Sequence, residues 1–462
     1  MSAPGLDAAL DKLRADGAAE ATVAAFEHAA RRLEAGERGV LPEAEIVPVD
    51  ALPDADALPD AGEEAGELLD LTVVLKLNGG LGTSMGMTRA KSLLEVRDGL
   101  SFLDIIARQV LALRARHAGD RAPRLPLILM DSFRTRADSL AALAVHGALS
   151  AGLDPDFVQS RVPKLLDDGS LAPVAWPADP DLEWAPPGHG DLYPALAGSG
   201  MLARLLEQGY RWAFVSNADN LGATLDPRIL GWIAREEIPF LMEVADRTPA
   251  DRKGGHLARR ADGGGLVLRE VAQTPEEDRD AFQDITRHRF FNTNTIWLDL
   301  QALAADLAGD GVIDLPMIVN RKTVDPADPA SPKVVQLETA MGAAIASFPG
   351  AAALRVPRSR FLPVKTTDDL LVLRSDAYVT GDDGRVGLAP GRTAAPLARL
   401  DPAHYKLIDD FQARFPDGPP SLVAADALTV EGDVTFGRDV VVRGAATVSG
   451  PGAVPDGAVL GD

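Results

Sequence analysis

A glycine-rich stretch between positions 71 and 96 carries residue types that bind a nucleotide phosphate. It opens with the apolar run Leu71–Leu77, which predicts a buried strand, and continues into Asn78 and a loop with four glycines in eight residues. Backbone N–H groups of such a loop can bind an anion, because no side chain stands in the way. Lys91 adds a positive charge. The combination predicts a nucleotide-phosphate site, although the loop matches neither the dinucleotide-binding fingerprint nor the P-loop pattern.

Asp219 is the candidate metal ligand. It follows the apolar run Trp212–Ser216, after Asn217 and Ala218. A carboxylate at the end of a strand suits Mg²⁺, which typically takes one or two carboxylates plus substrate phosphates. An aspartate in this position can equally cap the next helix or turn, and the pattern leaves both interpretations open.

His189 lies between Gly188 and Gly190 in a proline-containing segment. A histidine with this much space around it can serve as a general base, as a hydrogen-bond donor to phosphate or as a metal ligand, and it can also be an ordinary loop residue. A phosphate oxygen that attacks another phosphate is already anionic, so that reaction requires no general base. The pattern therefore favours a hydrogen-bond donor.

Positive charge concentrates at Arg358, Arg360 and Lys365. The chain as a whole is acidic, with a formal net charge of -22 and a pI of about 4.7. That balance argues against nucleic acid or an anionic membrane as a partner. A phosphate substrate must therefore meet a local basic cluster, and these three residues are the candidates for it.

Composition limits the class of protein. The chain has 462 residues, which predicts two or three domains, and its 46% hydrophobic and 25% charged residues are ordinary for a globular protein. The absence of cysteine excludes disulfides, thiolate catalysis and zinc–thiolate sites. No apolar run reaches the length of a membrane span, and the first residues lack the pattern of a signal peptide. We therefore expect a cytoplasmic protein.

The apolar pattern predicts the elements that must position these side chains. Residues 5–36 predict one or two amphipathic helices. The acidic, proline-bearing residues 37–66 favour a solvated linker, and a loosely packed crossing is the alternative. From 71 to 376, strands alternate with helices, which predicts an α/β fold with a mixed, mostly parallel open sheet flanked by helices. Ligands of such sheets bind beyond the carboxyl ends of the strands. Four candidate residues fall at those ends, namely Asn78, Asp131, Asn217 and Asp219.

Short apolar pieces recur in Leu428–Leu460 at a spacing of six residues, as between Val434 and Val440. This period predicts a short C-terminal left-handed parallel β-helix, and an antiparallel meander is the alternative. So short a solenoid buries little core alone, so we expect it to dock on its own domain or on another subunit. Assembly into a homo-oligomer through this tail is a hypothesis. The predicted domains are residues 1–68 (N-terminal helices and linker), 69–380 (catalytic) and 381–462 (C-terminal).

Long segments of the chain resemble the eukaryotic-type UDP-glucose pyrophosphorylases, also called UTP–glucose-1-phosphate uridylyltransferases. The loop sequence LNGGLGTSMG, followed by a lysine–serine pair, is similar to their signature nearly letter for letter, and so are PPGHGD, FVSNADNLGA and VPRSRFLPVKT. The resemblance is dense over residues 70–380. It departs before Lys91, where Arg89 and Ala90 replace the Gly-Pro that is common in the family, which frees the backbone and adds a charge.

This resemblance implies a nucleotidyltransferase fold of the GT-A or Rossmann-like type. It implies Mg²⁺-dependent, reversible transfer of UMP from UTP to glucose 1-phosphate, giving UDP-glucose and pyrophosphate. The implied nucleotide contacts are Leu77, Asn78, Gly79, Gly80, Lys91, Gln159, Gly188, Asp219 and Lys365. The implied sugar-phosphate contacts are Gly79, Gly80, His189, Asn217, Ala218, Asp219, Gly255, Glu270 and Asn294. Asp219 would bind the metal, and Lys91 and Lys365 would be catalytic residues that stabilise the developing charge.

Two other functions stay open on the sequence alone. One is a related enzyme that acts on N-acetylglucosamine 1-phosphate or on several hexose phosphates, which a larger pocket near Glu270 and Asn294 would favour. The other is a non-catalytic nucleotide-sugar-binding or assembly protein. Retention of Lys91, Asp219 and Lys365 together favours an enzyme.

Overall fold

The computed structural model describes residues 5–309 and 311–461. The first four residues of the predicted N-terminal region and the last residue of the predicted C-terminal domain lie outside the described residues. Within the described part, the α-helices are α1 (Leu6–Ala15), α2 (Glu20–Glu34), α3 (Ala65–Asp70), α4 (Phe102–Arg116), α5 (Arg136–Leu143), α6 (Leu192–Gly198), α7 (Met201–Glu207), α8 (Pro227–Arg235), α9 (Arg279–Gln283), α10 (Leu300–Leu307), α11 (Thr367–Arg374), α12 (Pro402–Tyr405) and α13 (Ile408–Arg414). None of them is long and apolar enough to cross a membrane.

The strands up to residue 355 are β1 (Ile46–Pro48), β2 (Thr72–Asn78), β3 (Glu95–Arg97), β4 (Leu100–Ser101), β5 (Leu127–Asp131), β6 (Asp156–Val158), β7 (Val162–Pro163), β8 (Leu165–Leu166), β9 (Trp184–Ala185), β10 (Trp212–Asn217), β11 (Phe240–Asp246), β12 (His256–Arg260), β13 (Leu266–Arg269), β14 (Phe290–Asp299), β15 (Met317–Thr323), β16 (Lys333–Thr339) and β17 (Ala352–Arg355). The later strands are β18 (Tyr378–Thr380), β19 (Val386–Leu388), β20 (Leu397–Leu400), β21 (Ser421–Glu431), β22 (Val434–Phe436), β23 (Val441–Ser449), β24 (Gly452–Val454) and β25 (Val459–Gly461).

A ten-stranded mixed sheet forms the centre of the fold. Its main path runs in the order β1-β12-β14-β10-β2-β5-β6, and β11, β13 and β17 pair beside it. The strands β10, β2, β5 and β6 pair in parallel, whereas β14 runs antiparallel to β10 and β11, and β12 runs antiparallel to β1, β13 and β14. The prediction of a mostly parallel sheet is therefore wrong for the half that contains β12 to β14. A parallel pair needs a long crossover connection, and the turn between β12 and β13 is too short for one.

The central strands are apolar on both faces. Along β2, Val74 packs into one hydrophobic core, whereas Val73 and Leu75 pack into the other. Successive side chains of a strand point to opposite faces of the sheet, so a continuous apolar run supplies two cores. Helices α4 and α8 cover the first core, and α6, α7 and α10 cover the second. The predicted α/β architecture with helices on both faces is confirmed.

The segment 37–66 is not a solvated linker, contrary to the prediction. Its residues Ile46–Pro48 form β1, which pairs antiparallel with β12, and Val49 and Ala55 are buried. The composition is misleading here, because the segment's few apolar residues are separated by acidic and proline residues and become buried only against a distant strand. The predicted N-terminal helices are confirmed as α1 and α2.

The C-terminal strands pair in parallel, which excludes the antiparallel meander for the described residues. One sheet contains β20, β21, β23 and β25, and β22 pairs with β24. Paired residues such as Val434 and Gly452 lie eighteen positions apart, three times the six-residue period. Val434 and Phe436 belong to the same hydrophobic core as α4 and α8. The tail therefore docks on its own chain, while the β-helix and its self-association stay predictions.

We expect Phe436→Ala to lower the free energy of unfolding by about 3–5 kcal/mol, because it opens a cavity in this docked core. Phe436 is 1% exposed, and its ring stacks on that of Phe415 with 4.9 Å between the centroids. Urea denaturation measures the change. Val459→Ala, at a side chain that is 56% exposed in the same tail, is the control, with an expected change below about 0.5 kcal/mol. Equal effects of the two substitutions would contradict docking of the tail.

Candidate active site

The carboxyl ends of β2, β5 and β10 lie side by side, as predicted. Asn78 pairs in register with Asp131, and Leu77 pairs with Asn217. The side-chain amide of Asn78 donates to Asp131 Oδ1 at 2.7 Å and to Ser139 Oγ at 2.8 Å. Burial raises the pKa of Asp131 to about 6. The side-chain amide of Asn78 thus fixes this edge of the sheet.

The glycine loop lies against Gln159. A Cβ atom at Gly79 would stand 2.3 Å from Gln159 Oε1, so the absence of a side chain lets this amide approach the loop. Apart from its chain neighbours, no heavy atom of the described residues would lie within 4 Å of a Cβ atom at Gly80. The Lys91 N–H donates to the Gly80 carbonyl at 3.0 Å and closes the loop. The residues predicted to read the base and to bind phosphate are therefore adjacent.

An ion pair joins the glycine loop to the end of β10. Lys91 Nζ donates to Asp219 Oδ2 at 2.7 Å, and both side chains are only partly exposed. Ala90, which stands where the family commonly has proline, is buried and has a φ of -52°. A proline fixes φ near about -65°, so the backbone here already follows the path that a proline would impose. The departure from the family sequence leaves Lys91 in place, and Arg89 adds an exposed charge.

Asn220 binds the Asp219 turn to the segment that carries Lys365. Its side-chain nitrogen donates to the Arg360 carbonyl at 3.2 Å, and its side-chain oxygen accepts from the Leu362 N–H at 2.8 Å. Asn220 is 2% exposed, so these hydrogen bonds are shielded from water. Sequence reasoning missed this residue, and its position directly after Asp219 is the only signal that could have found it.

The three basic residues predicted to form a cluster have different partners. Arg360 is buried and pairs with both oxygens of Glu243, at 2.6 and 2.7 Å, and Arg358 pairs with Asp251 at 2.8 Å. Lys365 forms no ion pair with any residue that the structure describes, and its ammonium group lies 5.8 Å from the centre of an aromatic ring. The two arginines therefore hold the segment in place.

The neighbours of His189 fix its hydrogen-bonding state. The Met341 N–H donates to His189 Nδ1 at 3.0 Å, so the neutral ring carries its hydrogen on Nε2. Burial lowers the pKa of His189 to about 4, which keeps the ring neutral at physiological pH. Gly188 has a φ of 80°, and a Cβ atom there would stand 2.4 Å from the Thr339 carbonyl oxygen. His189 can therefore donate a hydrogen bond from Nε2, and its contact with a phosphate stays a prediction.

Asp191 connects the His189 loop to the Gln159 segment, and sequence reasoning missed it as well. It is buried, and its Oδ2 accepts from the Ser160 N–H at 2.5 Å. Burial raises the pKa of Asp191 to about 7. Ser160 also shares a hydrogen bond of 2.8 Å with Thr22 of α2. One buried carboxyl group therefore sets the spacing between two predicted binding loops.

The predicted sugar contacts lie on the antiparallel half of the sheet. A Cβ atom at Gly255 would stand 2.5 Å from the Glu270 carboxylate, so these residues touch. Burial raises the pKa of Glu270, and the positive charge of Lys365 opposes this shift. Asn294 has a φ of 55° at a bulge of β14, where its Oδ1 accepts from Asn292 Nδ2 at 2.9 Å. Bulges often direct a side chain beside an active site.

Asp219 fits a cation that arrives with a phosphate substrate. The described residues contain no group of three or more histidine, aspartate or glutamate side chains that could hold a metal ion. Mg²⁺ commonly takes one protein carboxylate and completes its shell with phosphate oxygens and water. Next to Asp219, Ala218 is buried and its N–H donates to the Leu77 carbonyl at 3.0 Å. Ala218 therefore holds the strand ends together, beside the only predicted metal ligand.

The chain is similar to proteins of one family. The family model described as UTP–glucose-1-phosphate uridylyltransferase matches residues 23–443. The UTP–glucose-1-phosphate uridylyltransferase of Solanum tuberosum is 42% identical over 404 residues, which are 86% of this chain and 81% of the relative. That of Saccharomyces cerevisiae is 43% identical over 382 residues, 82% of this chain and 74% of the relative.

Solved structures give the same result. The UDP-glucose pyrophosphorylase from Leishmania major, known in open and closed structures, superimposes with a TM-score of 0.91 at 47% identity and covers 100% of this chain and 98% of its own. A variant of that protein in complex with UDP-glucose matches with a TM-score of 0.91 at 46% identity, over 100% of this chain and 98% of its own.

We expect Asp191→Asn to stabilise the fold increasingly as the pH rises. The folded-state pKa of about 7 exceeds the ordinary value of 3.8, so the stability that this group contributes is lost as the pH rises towards 7. The asparagine keeps an acceptor for the Ser160 N–H and cannot ionise. Urea denaturation near pH 5 and near pH 8 measures the gain relative to the wild type, and Asp417→Asn at an exposed position is the control. A pH-independent difference for Asp191→Asn would contradict a buried neutral carboxyl group.

Proposed function

The chain belongs to the UTP–glucose-1-phosphate uridylyltransferase family, and we propose that it uses Mg²⁺ and the residues of this sheet edge to transfer UMP from UTP to glucose 1-phosphate. The products are UDP-glucose and pyrophosphate. The observation that carries the proposal is the meeting of Lys91, Asp219 and the Lys365 segment at one edge of the sheet. These are the charges that a transferring phosphoryl group requires.

UTP binds across the glycine loop in this proposal. The open backbone at Gly80 supports a close approach of the base and ribose, and the amide of Gln159 reads the uracil edge as both donor and acceptor. Leu77 and Gly188 border this subsite. Asn78 contributes its backbone, because its amide nitrogen already donates twice within the protein. The phosphates then extend towards Lys91 and Asp219.

Glucose 1-phosphate binds along the antiparallel half of the sheet. His189 donates from Nε2 to its phosphate, which is the only hydrogen-bonding role that the neutral ring leaves open at that nitrogen. Asn217, Ala218 and Asp219 border the phosphate, and Gly79 and Gly80 border it from the loop. The hydroxyl groups of the hexose are bound by Gly255, Glu270 and Asn294. A carboxylate and an amide offer the several acceptors that a hexose needs.

The phosphate oxygen of glucose 1-phosphate attacks the α-phosphorus of UTP in line, and pyrophosphate leaves. No general base is needed, since the attacking oxygen is already anionic. Lys91 gives up its ion pair with Asp219 and turns to the phosphates, while Lys365 stabilises charge on the same group. Asp219 would hold Mg²⁺ together with substrate phosphate, and the ion would supply charge neutralisation there. Most of the catalysis is therefore positioning and electrostatic stabilisation.

The organisation of the chain around this site is also proposed. Residues 69–380 form the catalytic unit, with residues 1–68 before it and 381–462 after it. The eighteen-residue spacing between paired strands supports a short C-terminal β-helix. A cytoplasmic location is part of the proposal.

The direct test is pyrophosphate release from UTP by the full chain with a panel of sugar 1-phosphates, with and without Mg²⁺. We expect release with glucose 1-phosphate that requires the metal. The panel includes galactose 1-phosphate and N-acetylglucosamine 1-phosphate, and equal release with these would favour the broader sugar specificity instead. No release with any sugar would contradict the proposed function.

Asp219→Asn tests the metal-binding role. We expect kcat/KM to fall by at least about 10²-fold, because the substitution removes the carboxylate assigned to Mg²⁺ and the partner of Lys91. Titration of Mg²⁺ at fixed UTP measures whether the apparent metal affinity falls with it. Asp417→Asn, at an exposed position in the predicted C-terminal domain, is the matched control. Full turnover of Asp219→Asn with unchanged Mg²⁺ dependence would contradict the assignment.

A further inference from the structure

The Glu43 carboxylate accepts hydrogen bonds from three side chains behind the proposed sugar subsite. Glu43 lies just before β1, and its carboxylate accepts from Arg269 Nη1 at 2.6 Å, from Arg287 Nε at 2.7 Å and from His288 Nε2 at 2.9 Å. The Glu43 side chain is 13% exposed, and those of Arg269 and His288 are 0% exposed. Asp278 is the second carboxylate of the cluster and accepts from Arg269 Nη2 at 3.0 Å.

The cluster formed by Glu43, Asp278 and His288 contacts the first cross-strand pair of the β12–β13 hairpin. His256 and Arg269 face each other in the register of the two strands, and both are buried. The ring of His288 stacks on that of His256, with 3.8 Å between centroids. Glu43 therefore contacts Arg269 directly, and it is connected to His256 through the stacked ring of His288.

The proposed sugar contacts are the next residues along the chain. Gly255 precedes His256, and Glu270 follows Arg269. The two lie so close that a Cβ atom at Gly255 would stand 2.5 Å from the Glu270 carboxylate. With no free space between them, a shift of the hairpin end changes where the Glu270 carboxylate points.

We propose that Glu43 is a positioning residue for the sugar subsite, holding Gly255 and Glu270 at the spacing that binds the hexose. This inference rests on the proposed function. It assigns a role in substrate binding to a residue of the N-terminal segment, outside every motif that the sequence offered. Glu43 itself touches neither substrate.

The electrostatics explain why this carboxylate matters. Arg269 is a buried cation whose charge is balanced by Glu43 and Asp278. A neutral side chain at position 43 leaves Arg269 with one carboxylate and removes the charged acceptor of the His288 N–H. Buried charges that lose a partner are costly, so the hairpin end rearranges to recover one. Within the described part of the chain, the side-chain hydrogen-bond partners of Glu43 are Arg269, Arg287 and His288, and none of them belongs to the parallel strands where UTP is proposed to bind.

The test is Glu43→Gln in the full chain, with the KM for glucose 1-phosphate and the KM for UTP measured separately. We expect the KM for glucose 1-phosphate to rise about tenfold and the KM for UTP to change by less than about twofold. Glu45→Gln is the matched control in the same segment, because Glu45 is exposed and its only ion-pair partner among the described residues, Arg260, lies 3.9 Å away. It should leave both constants unchanged.

Arg287→Gln keeps the test decisive if Glu43→Gln does not fold. Arg287 is 47% exposed, and its loss removes one contact of Glu43 while the bond to Arg269 remains. We expect a smaller rise in the same KM alone. Equal rises in both KM values, or a lower melting temperature with both unchanged, would overturn the positioning role. An inactive wild type would instead overturn the proposed function.

Discussion

The ion pair between Lys91 and Asp219 is the interaction on which the site depends. It connects the loop after β2 to the turn after β10, and it exists because these neighbouring parallel strands end at the same edge of the sheet. The chain carries a net charge of -22, so an anionic substrate is repelled everywhere except where local cations outweigh that field. In the free protein, Lys91 and Asp219 satisfy each other. In the proposed function, a phosphate and its cation would offer each of them a new partner, so that binding would exchange one set of charge contacts for another.

Buried polar side chains hold the loops of this edge at fixed spacing. Asn220 binds the Asp219 turn to the Lys365 segment, and Asp191 binds the His189 loop to the residue after Gln159. Glu43 does the same for the hairpin beneath the sugar subsite. Charge stabilisation is effective only if the charged groups are in place before the reaction, and loops do not hold such positions unaided. The supporting residues therefore matter as much as those that touch a substrate.

The sequence allowed the carboxyl edge to be predicted, because apolar runs ending at Asn78, Asp131 and Asn217 mark buried strands whatever lies elsewhere in the chain. It did not allow the antiparallel pairing of β12, β13 and β14 to be predicted, because alternation of strands with helices is typical of a parallel sheet. Strand β1 was not predicted either, because its apolar residues are few and its pairing partner β12 is distant in sequence. The supporting roles of Asn220 and Asp191 were not predicted, because their hydrogen-bond partners are also distant in sequence. A hydrogen bond between residues far apart in the chain leaves no local pattern, so only the folded arrangement reveals which polar residues are supports.

The most direct measurement is a crystal structure of the full chain with UTP and Mg²⁺. We predict that Lys91 Nζ, now 2.7 Å from Asp219 Oδ2, leaves that oxygen for a phosphate oxygen and that Asp219 contacts the metal. An intact Lys91–Asp219 pair beside a bound nucleotide, with the metal held elsewhere, would contradict the exchange of charge partners at this edge.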